Sequence, residues 1–170
     1  QLNTFLNAYH RLTHLPDPVK SKVKICTLFD KLNRLLNSEP GSENVRYISS
    51  ENVEIPLDPN LITLALINLI RNVLQATANN PQPEIKVEAE KGAACSFIQV
   101  TDNGDGIPQD RLDDIFTPFY STKKEGSGIG LPLSRRIMQL HGGELTVNSE
   151  PGEKTVFSMT FPDHLQTRFS

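Results

Sequence analysis

Asp102 opens the stretch of this chain with the most chemical content. It ends a run of alternating apolar residues, so a strand delivers its carboxylate into the turn Asp102-Asn103-Gly104-Asp105-Gly106-Ile107. A carboxylate there can accept from an amino group, as on the edge of a base, or it can simply begin an ordinary Asp-Asn-Gly turn. Gly104 and Gly106 allow close backbone approach and dihedral angles that other residues resist. Phe116-Thr117-Pro118-Phe119-Tyr120-Ser121-Thr122-Lys123 follows. Phe116, Pro118 and Phe119 make a small apolar anchor for a loop. Thr122, Lys123 and Lys124 can reach an anion, although lysines in such places are usually only solvated. Gly126-Ser127-Gly128-Ile129-Gly130-Leu131 then leads into a helix, whose free N–H groups and positive dipole end favour phosphate. No short βαβ unit surrounds these glycines, so they are not a dinucleotide fingerprint. They also lack the Gly-Lys-Ser/Thr ending of a P-loop.

Asn68 and Asn72 add a second constellation. They stand four apart, on one helix face, amid Leu64, Ala65, Leu69, Val73 and Ala76. An unpaired buried amide costs about 1–3 kcal/mol, so the two asparagines are either solvated, bonded to one another, or bound to a ligand. An amide oxygen suits Mg²⁺, a hard ion that takes few protein oxygens and keeps waters.

With Asn68-Leu69-Ile70-Arg71-Asn72 before them, these pieces resemble the nucleotide pocket of the GHKL superfamily of gyrase-type, heat-shock-chaperone, histidine-kinase and mismatch-repair ATPases. In detail the chain is similar to the catalytic ATP-binding domain of bacterial sensor histidine kinases, over residues 20–162 and with every nucleotide box in order. The run from Phe119 to Leu131 is similar to the nitrogen-regulation branch. The resemblance implies ATP and Mg²⁺, with Asn72 as catalytic positioning residue and metal ligand. It implies an Asp102 bond to the adenine amine, where guanine would present a repelling carbonyl. Around the nucleotide it sets Asn68, Gln75, Gly104, Gly106, Ile107, Phe119, Thr122, Lys123, Gly126, Gly128, Ile129, Gly130, Leu131 and, near the phosphates, Thr155. Phe116 to Phe119 would pin one end of a lid spanning Tyr120 to Ser127.

Three departures matter. Members that hydrolyse ATP for work generally carry Glu where this chain has Asn68, and a neutral amide cannot take a proton from water near neutral pH. Gln75 stands where many histidine kinases have Lys or Arg, so Arg71 or Lys123 is left to supply that charge. Lys154 replaces the usual Gly before Thr155.

The elements that must position these residues are legible as patterns. Leu2, Phe5, Leu6, Tyr9 and Leu12 form a helical stripe ended by Leu15-Pro16-Asp17-Pro18. Cys26 to Leu36 is a second helix. Short strands near Val45–Ser49 and Val53–Pro56 read as a hairpin. Asp58 caps a helix running to Ala78. Ile85, Val87 and Ala89 alternate with Lys86, Glu88 and Glu90, and Ile98, Val100 and Asp102 share the inward face of the next strand. Gly130 to His141 is a helix with Pro132 in its first turn, and His141-Gly142-Gly143 is a glycine C-cap with a basic residue beside it. Strands near Glu144–Asn148 and Thr155–Phe161 close the series. The order fits an α+β two-layer sandwich, a mostly antiparallel mixed sheet with helices on one face, which is also the Bergerat fold that the resemblance implies.

The chain has 170 residues, 37% hydrophobic and 22% charged, enough for one domain with its own core. A net charge of −3 without a long basic run argues against nucleic acid as a partner. Cys26 and Cys95 form no CxxC motif and read as reduced thiols of a cytoplasmic protein. No apolar run is long enough to cross a membrane, and the parent protein is left free to be membrane-anchored. The chain begins with Gln1, so it reads as a fragment. Residues 1–19 are expected to be the stub of a dimerisation helix plus linker, and residues 20–170 the ATP-binding catalytic domain. His10 and His14, four apart, lack a third metal ligand, and neither sits in the family's phosphoacceptor motif. The resemblance therefore implies γ-phosphoryl transfer to a histidine on a dimerisation domain absent from this chain, a response-regulator receiver domain as the next acceptor, and a homodimeric parent. The alternatives are a GHKL ATPase switch that dimerises on ATP, and a non-catalytic interaction domain with a vestigial pocket.

Overall fold

The computed structural model describes residues 10, 12–50, 52–120 and 128–163. Among these residues lie seven strands and three longer helices. In chain order they are β1 (Ser21–Lys24), α1 (Ile25–Leu36), β2 (Val45–Ser49), β3 (Glu54–Leu57), α2 (Pro59–Ala76), β4 (Ile85–Lys91), β5 (Cys95–Asp102), α3 (Gly130–Leu140), β6 (Glu144–Glu150) and β7 (Lys154–Pro162). Single helical turns at Gln109–Arg111 and Asp114–Phe116 interrupt the long connection after β5.

Five strands form one sheet in the order β2-β4-β5-β7-β6. The pairs β4–β5, β5–β7 and β6–β7 are antiparallel, and β2–β4 is parallel. This is the mixed, mostly antiparallel α+β sandwich expected. The alternation of β5 explains why the sheet has one covered face. Ser96, Ile98, Val100 and Asp102 are buried, and the residues between them are half-exposed. A single core joins the sheet's inner face (Ile85, Val87, Ile98, Val100, Phe157, Met159, Phe161) to the apolar sides of the three helices. Burying a Leu or Ile side chain contributes about 1.5–3 kcal/mol, and Ile25, Leu32, Ile62, Leu66, Leu69, Ile70 and Ile137 are all fully buried.

The expected hairpin at residues 45–56 is not one. β2 pairs in parallel with β4, across the α2 crossover, and β3 pairs antiparallel with β1 in a separate two-stranded sheet. β1 has the sequence Ser-Lys-Val-Lys with only Val23 turned inward, too little apolar periodicity to announce a strand. The N-terminal stripe lies mostly outside the described residues. Its described part is helical at His10, Leu12 and Thr13, and Leu12 packs on the core. The His10 and His14 rings stack 4.2 Å apart.

α2 starts where its cap dictates. Asp58 takes extended backbone and its Oδ1 accepts from the N–H groups of Asn60 (2.9 Å) and Leu61 (3.1 Å), with Pro59 as first helical residue. Its Oδ2 accepts from Val19 N–H at 2.9 Å. α3 ends at Gly142, whose φ of 73° is the left-handed cap conformation. His141 is more than a basic neighbour to that cap. It is buried, its Nε2 accepts from Asp58 N–H at 3.0 Å, and its Nδ1 donates to Ile137 O at 2.8 Å. The ring is therefore a neutral bridge between the end of α3 and the start of α2. Lys20 Nζ adds a bond to His141 O at 2.7 Å, so residues 19 and 20 are fastened to both helices.

Candidate functional site

The C-terminal half of α2, the end of β5 and the start of α3 surround a cavity of about 730 Å³, within the range of small-molecule sites. Asn68, Asn72 and Gln75 line it from α2, Asp102 and Thr155 from the sheet, Gly106 and Ile107 from the loop after β5, and Gly128 to Leu131 from the entry to α3. Of the residues singled out from the sequence, Asn68, Asn72, Gln75, Asp102, Gly106, Ile107, Gly128, Ile129, Gly130, Leu131 and Thr155 are thus brought to one concavity.

Asp102 sits at the sheet end of the cavity and is 2% exposed. Its Oδ1 accepts from Gly104 N–H at 2.8 Å, so the Asp-Asn-Gly turn and the inward carboxylate are one feature. Gly104 does not line the cavity but is fixed by it. A Cβ there would lie 2.5 Å from Ala76 O and 2.8 Å from Asp102 Oδ1, so the turn nests against the last residue of α2 only without a side chain. Asn103 braces the same turn from outside: its Oδ1 accepts from Glu84 N–H, its Nδ2 donates to Gln82 O, and its own carbonyl accepts from Asn80 Nδ2.

Thr155 is the direct partner of Asp102 across β5 and β7. Strand register thus sets Thr155 at the Asp102 end of the cavity. Its Oγ1 shares a 2.8 Å hydrogen bond with Ser149 Oγ, which accepts from Ile107 N–H at 2.8 Å. Ser149 escaped the sequence reading. The signal was there: in β6, Leu145 and Ser149 are the buried positions, and a serine at an inward position needs a polar partner.

Asn68 and Asn72 are half-buried on the α2 wall. Asn68 Nδ2 donates to Gly130 O at 3.4 Å, which ties α2 to the first turn of α3. Among the described residues nothing bonds the Asn72 amide, which leaves its oxygen open to the cavity. Mg²⁺ needs only one or two protein oxygens when phosphates and waters supply the rest, so this donor fits such an ion. Gln75 is exposed on the same wall, one turn beyond Asn72.

α3 begins without a side-chain cap, unlike α2. Its first N–H groups, with the positive end of its dipole, open on the cavity at Gly130 and Leu131. Gly128 precedes them at φ 65°, and a Cβ would lie 2.6 Å from Phe119 C. Phe119 is not on the cavity wall. It is exposed, at φ 66°, and its N–H donates to Gly128 O at 2.8 Å, a bond that joins the two ends of the 120–127 connection. Phe116 packs on the core and carries the Arg135 guanidinium 4.6 Å above its ring. Thr122, Lys123 and Gly126 lie outside the described residues. Asp105, Arg111, Tyr120 and Pro132 also line the cavity, and none of them is among the nucleotide contacts expected from the sequence.

A family model described as histidine kinase-, DNA gyrase B-, and HSP90-like ATPase matches residues 57–165. Sensor histidine kinase ZraS of Escherichia coli (strain K12) is 36% identical over 143 residues, covering 82% of this chain and 30% of that protein. Sporulation kinase C of Bacillus subtilis (strain 168) is 34% identical over 139 residues, covering 82% of this chain and 31% of that protein. The chain thus spans about a third of the length of these curated relatives. Among solved structures, the nucleotide-free catalytic domain of histidine kinase ThkA superposes with a TM-score of 0.73 at 26% identity, over 84% of this chain and 95% of that one. Full-length ShkA in complex with AMPPNP shares the fold, with a TM-score of 0.79 at 21% identity, over 95% of this chain and 35% of that one. The chain belongs to the histidine kinase-, DNA gyrase B- and HSP90-like ATPase family, as an ATP-binding catalytic domain of the sensor-histidine-kinase type.

Proposed function

We propose that this domain binds Mg-ATP and presents its γ-phosphoryl group to a histidine on a dimerisation domain of the same parent protein, a homodimer, from which a response-regulator receiver domain then takes the phosphoryl group. Residues 20–170 form the catalytic domain, and residues 1–19 are the end of the dimerisation helix and the linker. At that boundary Val19 and Lys20 are both fastened to the catalytic domain, through Asp58 and His141. ATP as substrate places the work in the cytoplasm, whether or not the parent is anchored in a membrane. Among the described residues no helix is long and apolar enough to cross one. We read the Phe119–Leu131 motif as that of the nitrogen-regulation branch.

The single observation that carries the reading is the convergence of a buried carboxylate, an open amide and an uncapped helix start on one cavity. Asp102 accepts from the adenine amine. Thr155 and Ile107 flank it. The first N–H groups of α3 receive phosphate oxygens, and Thr122, Lys123 and Gly126 are further nucleotide-binding residues of this reading. Asn72 holds Mg²⁺, which when bound neutralises phosphate charge. Such a transfer asks for positioning and charge neutralisation more than covalent help. The acceptor imidazole is itself the nucleophile: its nitrogen bonds the γ-phosphorus as the bridging oxygen leaves with ADP. Asn68 offers no base for water, which suits transfer over hydrolysis.

The test is to join the chain to its parent's phosphoacceptor domain and follow labelled γ-phosphate. Acid-labile phosphohistidine with slow release of free phosphate is expected. Fast steady-state hydrolysis by this chain alone would refute the reading.

A further inference from the structure

Arg71 is the cation of the α2 wall of the cavity, and it is engaged elsewhere. Its Nε and one terminal nitrogen both donate to Glu39 Oε1, at 3.0 and 2.6 Å. Glu39 comes from the connection after α1 and is held there by backbone bonds: its N–H donates to Leu36 O, and its carbonyl accepts from Ser42 N–H. The Glu39 backbone is therefore anchored, and the longer arginine side chain is the more movable partner.

Three features make this pair exchangeable. Both donors converge on one carboxylate oxygen, which forgoes the parallel two-oxygen geometry that makes arginine–carboxylate pairs strong. The side chains are 55% and 31% exposed, and ion pairs so open to water contribute little. Finally, Arg71 stands one turn from Asn68 and one turn from Gln75, and all three line the cavity. Gln75 is neutral. Among the described lining residues the charges are Arg71, Arg111, Asp102 and Asp105. Arg111 comes from the loop leaving Asp102, so it is Arg71 that shares a wall with Asn72 and with the Asn68–Gly130 bond at the start of α3.

We infer that Glu39 parks Arg71, and that an entering nucleoside triphosphate draws the guanidinium off Glu39 onto its distal phosphate oxygens. This rests on the ATP reading above and adds a recognition element to it. Arg71 discriminates nucleotides by phosphate number, and Glu39 sets the threshold by competing for the same donors. Phosphate offers the guanidinium a two-oxygen acceptor, so the exchange is favourable for a triphosphate. AMP, whose single phosphate lies nearest the ribose, leaves the pair closed.

The test is calorimetric titration of ATP, ADP and AMP, with Mg²⁺, into the wild-type chain, Glu39→Gln, Glu39→Ala, Arg71→Ala and the double variant Glu39→Ala/Arg71→Ala. Thermal unfolding confirms that each variant folds. Arg71→Ala is expected to weaken ATP about tenfold, the loss of one charge-assisted contact, with AMP unchanged. Each Glu39 substitution is expected to tighten ATP about two- to fivefold, the release of one exposed ion pair. In the double variant the gain should vanish. Equal losses for ATP and AMP, or a Glu39 effect that survives without Arg71, would overturn the inference. Wild-type binding of ATP that is indifferent to every substitution would overturn it alone. A folded wild-type chain that binds no ATP would overturn it together with the reading on which it rests.

Discussion

Asp102 and Thr155 face each other across β5 and β7, 2% and 3% exposed, at the sheet end of the cavity. Through Thr155 the pair is joined to Ser149 and then to the backbone of Ile107. Two adjacent strands and the loop that leaves one of them thus form a single hydrogen-bonded floor. Ser149→Ala removes its middle member and leaves Ile107 N–H without its acceptor. A loss of about 1–3 kcal/mol is expected from urea unfolding, with weaker ATP binding because the loop carrying Gly106 and Ile107 is no longer fixed.

Gly104 offers a steric test of the same floor. A methyl group there meets the Ala76 carbonyl and the Asp102 carboxylate, neither of which can withdraw without moving α2 or β5. Gly104→Ala should destabilise the fold by about 1–3 kcal/mol, as overpacking does, and should displace Asp102. The checks are the denaturation midpoint and ATP affinity measured on the folded fraction.

The junction of α2 and α3 predicts an acid sensitivity. Burial pushes the His141 imidazole below 6.5, outweighing the Ile137 carbonyl, which acts in the opposite direction, and Lys20 also lowers it. Because the folded state holds the neutral ring, the unfolded chain takes up the proton first as pH falls. The contribution of His141 to stability is full above 6.5 and is lost as pH falls through 6.5 and on through the lower folded value. His141→Gln should flatten the pH dependence of the denaturation midpoint in that window. Asp58 acts at lower pH. Burial would raise its carboxyl, but bonds from the Leu61, Val19 and Asn60 N–H groups hold it below 3.8. Asp58→Ala should cost about 0.5–2 kcal/mol as a lost helix cap.

Asn72→Ala tests the metal assignment. The wild-type chain should bind ATP more tightly with Mg²⁺ than with a chelator present. The variant should bind with the same affinity in both, because its protein oxygen for the ion is gone. A variant that keeps the full Mg²⁺ dependence would move the ligand elsewhere.

What the sequence made legible was local. The caps of α2 and α3, the alternation of β4, β5 and β7, and the glycine turns all rest on interactions within a few residues, and their types and approximate bounds match. Pairing was another matter. The residues of β2 and β3 look like two arms of a hairpin, but β3 finds its partner in β1 and β2 finds its own in β4 beyond a helix. Tertiary packing decides such partnerships, and no periodicity encodes them. The site divides the same way. Asp102 stands out through strand alternation and its glycine turn, Asn72 only through the family resemblance of its helix together with the glycine boxes. The roles of Ser149, His141 and Glu39 depend on residues distant in the chain, Ile107, Asp58 and Arg71 respectively.

The most direct test of the account is calorimetric titration of Mg-ATP and Mg-GTP into the wild-type chain and Asp102→Asn. Binding of ATP in preference to GTP is expected, with loss of about 1–3 kcal/mol of that preference when the carboxylate becomes an amide. Equal affinity for the two nucleotides, or ATP binding unchanged by Asp102→Asn, would contradict it.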